Sequence, residues 1–145
     1  MNSQPVLLIV EDETPIRAAL AATLEDCGYT IIEAENGLAA VTTIDVNVKI
    51  SGILTDVNLG GGPSGWEVAR HARRAFPGVA VVYITGDSVA EWIAEGVPRS
   101  VILQKPFAAA QMAAAVSNLL NVVNGCHPLV NPARAASSDS RPLRS

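Results

Sequence analysis

The feature that most constrains this chain is an alternation repeated five times: a short apolar run, then a stretch with helical spacing. Val6 to Val10 is continuously apolar, as expected of a strand buried on both faces of a parallel sheet, and it ends in acids. Thr14-Pro15 opens a helical pattern through Ile16, Ala19, Leu20, Thr23 and Leu24, with proline tolerated in the first turn and Gly28 as the stop. Tyr29 to Glu33 reads as a second strand, Gly37 to Val46 as a second helix, and Ile50 to Thr55 as a third strand closing on Asp56. A glycine-rich loop, Gly60 to Gly65, leads into a helix through Trp66, Val68, Ala69, Ala72 and Phe76. Pro77-Gly78 then turns the chain into a strand over Val79 to Ile84. A short helix over Ser88 to Ala94, a strand over Ser100 to Leu103 and an alanine-rich helix over Phe107 to Val123 complete the series. Five such units imply an α/β fold with one parallel sheet covered by helices on both faces, because the crossovers are right-handed.

With 145 residues the chain can bury one sizeable core and not two, so residues 1–123 read as a single domain. From Asn124 to Ser145 the periodicity stops, and prolines, serines and arginines mark a flexible C-terminal tail. No apolar run approaches the roughly 18 residues of a bilayer span, and no basic segment precedes Val6 to Val10 as a secretory signal requires. A cytoplasmic protein is expected. Ten basic against 14 acidic side chains, a net charge of −4, is the wrong balance for gripping nucleic acid through its phosphates. Cys27 and Cys126 have no His or Cys at metal-ligand spacing and are expected to be unpaired small thiols.

In an open parallel sheet, ligands bind at the carboxyl ends of the strands. Those ends carry Glu11-Asp12 after the first strand, Asp56 after the third, Thr85 after the fourth and Lys105-Pro106 after the fifth. Carboxylates gathered at one edge repel one another unless a cation sits among them, and hard oxygen ligands suit Mg²⁺. A lysine ammonium and a threonine hydroxyl beside that metal would receive the oxygens of a phosphoryl group, and an aspartate can be its acceptor.

In this order, each at a strand end, these residues resemble the receiver domain of two-component response regulators, over residues 5 to about 122. The resemblance implies a flavodoxin-like (βα)5 fold with strand order 2-1-3-4-5. It implies that Asp56 accepts a phosphoryl group from a sensor histidine kinase or histidine phosphotransfer protein. Glu11, Asp12, Asp56 and the main-chain carbonyl of Asn58 would hold Mg²⁺, while Thr85 and Lys105 would bind the phosphoryl oxygens. A cis Lys105-Pro106 peptide is expected, aiming Lys105 inward. Output would pass by protein contact, to a partner or in a homodimer, through the face built from Ala90 to Glu95, Ser100 to Leu103 and Phe107 to Val123. Such a chain is not an enzyme beyond its own phosphorylation and dephosphorylation. Asn58 and Asp87 occupy positions that tune the hydrolysis, which is expected to be moderate or fast.

Two departures stand out. Three residues before the lysine, where the family usually has Tyr or Phe, this chain has Ile102, which puts the usual aromatic switch in doubt. The loop after Asp56 is one residue longer than usual and rich in glycine, which reads as slack. Rival readings are weaker. Gly60 to Gly65 matches GxGxxG, with Asp87 22 residues further on, as in a dinucleotide-binding enzyme. That reading places the motif in the third βα unit, lets Pro63 remove a backbone N–H, and leaves Glu11, Asp12 and Lys105 unexplained. A phosphohydrolase would want an acid two residues after its nucleophile, where Asn58 cannot titrate. A phosphorylation-independent interaction module is favoured by Ile102 and disfavoured by the complete set of acids, threonine and lysine.

Overall fold

A computed structural model describes residues 4–46, 49–86 and 89–120. It contains β1 (Val6–Val10), α1 (Thr14–Asp26), β2 (Thr30–Ala34), α2 (Gly37–Val46), β3 (Gly52–Asp56), α3 (Gly65–Ala75), β4 (Ala80–Thr85), α4 (Val89–Glu95), β5 (Ser100–Gln104) and α5 (Ala109–Leu120). All neighbouring strands are parallel and the order is β2-β1-β3-β4-β5, as expected from the sequence. The expected start of the fourth helix at Ser88, the end of the fifth at Val123, Asp87 and the tail at 124–145 lie outside the described residues.

The sheet has a core on each face, because alternate side chains of a strand point to opposite sides. Leu8, Val10, Ile53, Val81 and Tyr83 face α2 and α3, meeting Ala40, Ile44, Trp66, Val68 and Ala72. Leu7, Ile9, Leu54, Val82 and Ile84 face α1 and α5, meeting Leu20, Leu24, Met112 and Val116. The central strands β3 and β4 are buried at every residue, which accounts for their unbroken apolar runs.

Strands β1 and β5 start at Val6 and Ser100 as expected, while β2, β3 and β4 start one or two residues later than the sequence suggests, and for β2 the reason is local. Gly28, at φ +96°, donates to the Glu25 carbonyl, and Tyr29 donates to the Leu24 carbonyl. Those two bonds finish α1 and keep Tyr29 out of the ladder. Its hydroxyl instead pairs with Ser117 of α5 at 3.0 Å. Asn36 caps α2 by accepting the Ala39 N–H at 2.8 Å. Ser64 and Glu67 cap α3 reciprocally, each side chain accepting the other's backbone N–H.

The glycine-rich loop has two fixed points. A Cβ at Gly37 would lie 2.0 Å from the Pro63 carbonyl oxygen, and one at Gly65 would lie 2.2 Å from the Asp56 carbonyl oxygen. Backbone cannot yield as a flexible side chain can, so Gly65→Ala is expected to cost roughly 1–3 kcal/mol in a urea denaturation series. An unchanged midpoint would mean that α3 can back away from the strand end.

Cys27 is disulfide-bonded, which corrects the expectation of an unpaired thiol. Cys126, the other cysteine in the sequence, lies outside the described residues. Helices α1 and α5 pack together and both end at the amino edge of the sheet, which places Cys27 at that edge.

Candidate functional site

Parallel strands put all their carboxyl ends on one edge, and the polar strand-end residues gather there. Glu11, Asp12 and Asp56 each offer a carboxylate oxygen, and the three lie within 4.8 Å of one another. Lys105 Nζ, arriving from the end of β5, is 2.9 Å from Asp56 Oδ2 and 3.6 Å from Glu11 Oε1. The other Asp56 oxygen, Oδ1, accepts the Asn58 N–H at 3.0 Å, so both oxygens of this nearly buried carboxylate have fixed partners.

Glu11 is fully buried. Its Oε2 accepts the Glu13 N–H at 3.1 Å, while its Oε1 has no hydrogen-bond partner. Burial is the main cause that pushes the Glu11 carboxyl up to about 7, and the Asp56 charge and a hydrogen bond with Asp12 add to it. The Glu13 N–H and the Lys105 charge pull the other way. For Lys105, burial works to lower the pKa, but the hydrogen bond and charge of Asp56, then those of Glu11, outweigh it and raise the ammonium above its usual range. Three carboxylates against one ammonium leave the cluster electron-rich, and a buried oxygen without a donor points into it. This donor set fits a hard divalent cation, which would satisfy Glu11 Oε1 and offset the surplus charge.

Thr85 ends β4 at the same edge and is buried; its carbonyl accepts the Lys105 N–H at 2.8 Å, which ties the ends of β4 and β5 together. The Lys105-Pro106 peptide is cis, as expected.

The sequence profile of the family described as "response regulator receiver domain" matches residues 7–117. The chain belongs to that family. Among solved structures, this receiver is similar to a response regulator receiver protein from Sinorhizobium medicae, at 38 % identity and a TM-score of 0.80, covering 83 % of this chain and 97 % of that one. It is 34 % identical over 120 residues to the transcriptional regulatory protein CusR of Escherichia coli, covering 79 % of this chain and 50 % of the relative. It is 25 % identical over 126 residues to the sensor kinase CckA of Brucella abortus, covering 83 % of this chain and 13 % of that one. The receiver thus spans half, or much less, of the length of these curated relatives.

The receiver brings together Glu11, Asp12, Asp56 and Lys105 as their places at strand ends suggested, with Thr85 at the same edge. Asn58 joins through its backbone N–H. Two residues of consequence carry little sequence signal. Arg17 donates to the Glu11 carbonyl at 2.8 Å and pairs with Glu33 at 3.0 Å, holding the turn after β1; its only hint is that it is one of two cations among residues 1–60. Tyr83 looks in sequence like one more apolar strand residue, yet it is fully buried with its hydroxyl bonded to Val97. Within the Gly60 to Gly65 run, Pro63 packs against Gly37 and Gly65 against the Asp56 backbone, and among the described residues no helix is long and apolar enough to cross a membrane.

Proposed function

We propose that this receiver is the phosphoacceptor of a two-component phosphorelay and that Asp56 takes the phosphoryl group. The observation that carries the reading is the acid cluster with Lys105 on Asp56 and an orphaned Glu11 oxygen. The donor would be a sensor histidine kinase or a histidine phosphotransfer protein. In the transfer, the P–N bond of the phosphohistidine breaks as a P–O bond to the Asp56 carboxylate forms, and the histidine leaves with the electron pair.

Glu11, Asp12, Asp56 and the Asn58 carbonyl would hold Mg²⁺, which when bound neutralises the carboxylates and the incoming phosphoryl oxygens. The chain's own groups do the rest. The Asn58 N–H and the Lys105 ammonium fix the plane of the Asp56 carboxylate, which keeps the acceptor oriented before the donor arrives. Lys105 then trades its contact with Asp56 for the phosphoryl oxygens, and the Thr85 hydroxyl supplies a further hydrogen bond. An apolar groove of about 480 Å³ between α1 and α5, walled by Ile16, Leu20, Phe107 and Met112, runs up to Lys105. A donor protein must cover this rim to place its histidine at Asp56, so the groove is where it would seat.

Output would pass by contact through α4, β5 and α5, to a protein partner or a second copy, without direct contact to nucleic acid. Helix α4 has no fully buried residue and leaves Ile93 85 % exposed, which supports that face as a surface awaiting a partner. The chemistry is confined to the chain's own phosphorylation and its loss. The receiver body would end near residue 123, with 124–145 an extension outside it, and the cytoplasm is the compartment where such a donor is found.

The test is intact-protein mass after incubation with acetyl phosphate and Mg²⁺. A gain of one phosphoryl group, abolished by a chelator, is expected. A folded chain that gains nothing would shift the reading to a phosphorylation-independent interaction module, the role Ile102 would suit.

A further inference from the structure

Ile102 lies on β5 directly beside Tyr83 of β4 in the parallel ladder, and Tyr83 precedes Thr85 by two residues on the same side of the strand. The aromatic ring in this part of the sheet is therefore on the neighbouring strand. It is fully buried and held at both ends. At one end its ring lies 4.6 Å from that of Trp66, tilted by 57°. Trp66 is the second residue of α3. The first, Gly65, donates its N–H to the Val57 carbonyl at 2.9 Å and packs against the Asp56 carbonyl with no room for a Cβ. At the other end the Tyr83 hydroxyl accepts the buried Val97 N–H at 3.0 Å, in the segment between α4 and β5. The Val97 carbonyl in turn accepts Ser100 Oγ at 2.6 Å, and Ser100 Oγ accepts Trp92 Nε1 of α4 at 2.9 Å.

A continuous path thus runs from the strand end bearing Asp56, through Trp66 and Tyr83, to Val97 and back into α4. Because α4 buries no residue completely, its place depends on a few such attachments. We propose that Tyr83 is the positioning residue that carries the state of the Asp56 site to α4, its ring sensing Trp66 and its hydroxyl holding the 95–100 segment. The proposal rests on the phosphoacceptor reading. A close-packed interior passes on small displacements instead of absorbing them, and a stiff ring bonded at its far end is suited to that. Arg70 and Arg73 also bridge α3 to this segment, Arg70 through an exposed ion pair with Glu95 that exerts little hold and Arg73 through a hydrogen bond to the Pro98 carbonyl at 2.6 Å.

The experiment follows backbone amide resonances of the full ¹⁵N-labelled chain during titration with beryllofluoride in the presence of Mg²⁺, a stand-in for the phosphoryl group. In the wild type, amides of residues 57–66 and of 95–100 are expected to shift together. In Tyr83→Phe, which keeps the ring and removes only the hydroxyl, the 57–66 response stays and the 95–100 response falls at least about fivefold. Arg70→Ala leaves both responses in place. The proposal is overturned if 95–100 responds equally in Tyr83→Phe, if Arg70→Ala loses the response as well, or if wild-type 95–100 stays still while 57–66 moves. No wild-type response at 57–66 would instead overturn the phosphoacceptor reading, and this proposal with it.

Discussion

Asp56→Asn is expected to gain no mass from acetyl phosphate and Mg²⁺ under conditions that add one phosphoryl group to the wild-type chain. The substitution is nearly isosteric, and the amide oxygen can still accept the Asn58 N–H that now meets Oδ1 at 3.0 Å. What disappears is the anionic oxygen that would form the new P–O bond, together with the charge that holds Lys105 at 2.9 Å. The loss should therefore be complete, while the urea midpoint shows the chain still folded. Lys105→Met makes a useful contrast, because the acceptor remains and only its charge-neutralising neighbour goes. Incorporation there should slow by roughly 10²-fold, the usual cost of removing one group that stabilises developing charge. If Asp56→Asn still takes up a phosphoryl group at the wild-type rate, the acceptor is another residue and the cluster has a different purpose.

The fold was legible because parallel topology needs only alternation. Five apolar runs separated by helical spacing admit few arrangements once crossovers are right-handed, and β3 and β4, buried at every residue, wrote the plainest runs. The site was legible for a related reason. A parallel sheet delivers every strand end to one edge, so Glu11, Asp12, Asp56 and Lys105 could be assembled from order alone, although residues 12 and 105 are far apart in the chain. Contacts set by side-chain reach were not legible. No spacing rule indicates that Arg17 folds back onto the Glu11 carbonyl, or that the Tyr83 hydroxyl caps the N–H of Val97 across the end of the sheet. Cys27 shows the same limit, since the absence of a His or Cys at metal-ligand spacing does not tell a bonded cysteine from a free one. The glycine-rich loop reads as slack, and a side chain at Gly60, Gly61 or Gly62 would meet open space, but Gly65 is required by the backbone of Asp56 and Pro63 presses on Gly37.

Without a divalent cation, the chain is expected to lose stability as pH rises from about 4.5 to about 7, the reverse of ordinary carboxylate behaviour. The Glu11 carboxyl, at 4.5 when unfolded, is lifted to about 7 chiefly by burial, so within that window the folded chain keeps a proton that the unfolded chain releases. Stability from this group is full below the lower value and gone above the upper one, a change of about 3 kcal/mol at the usual 1.4 kcal/mol per pH unit. Lys105, raised above its own range, loses its contribution only at far more alkaline pH and does not disturb the window. Saturating Mg²⁺ would hold Glu11 as the carboxylate and release its proton, so metal binding should tighten toward pH 7 and the downward slope should flatten. Urea midpoints near pH 5 and near pH 7.5, with and without Mg²⁺, measure this directly. Glu11→Gln supplies the control, because it cannot titrate and should erase the slope in metal-free protein. A slope that survives in Glu11→Gln, or that Mg²⁺ leaves unchanged, would show that the buried carboxyl neither holds the proton nor meets the cation.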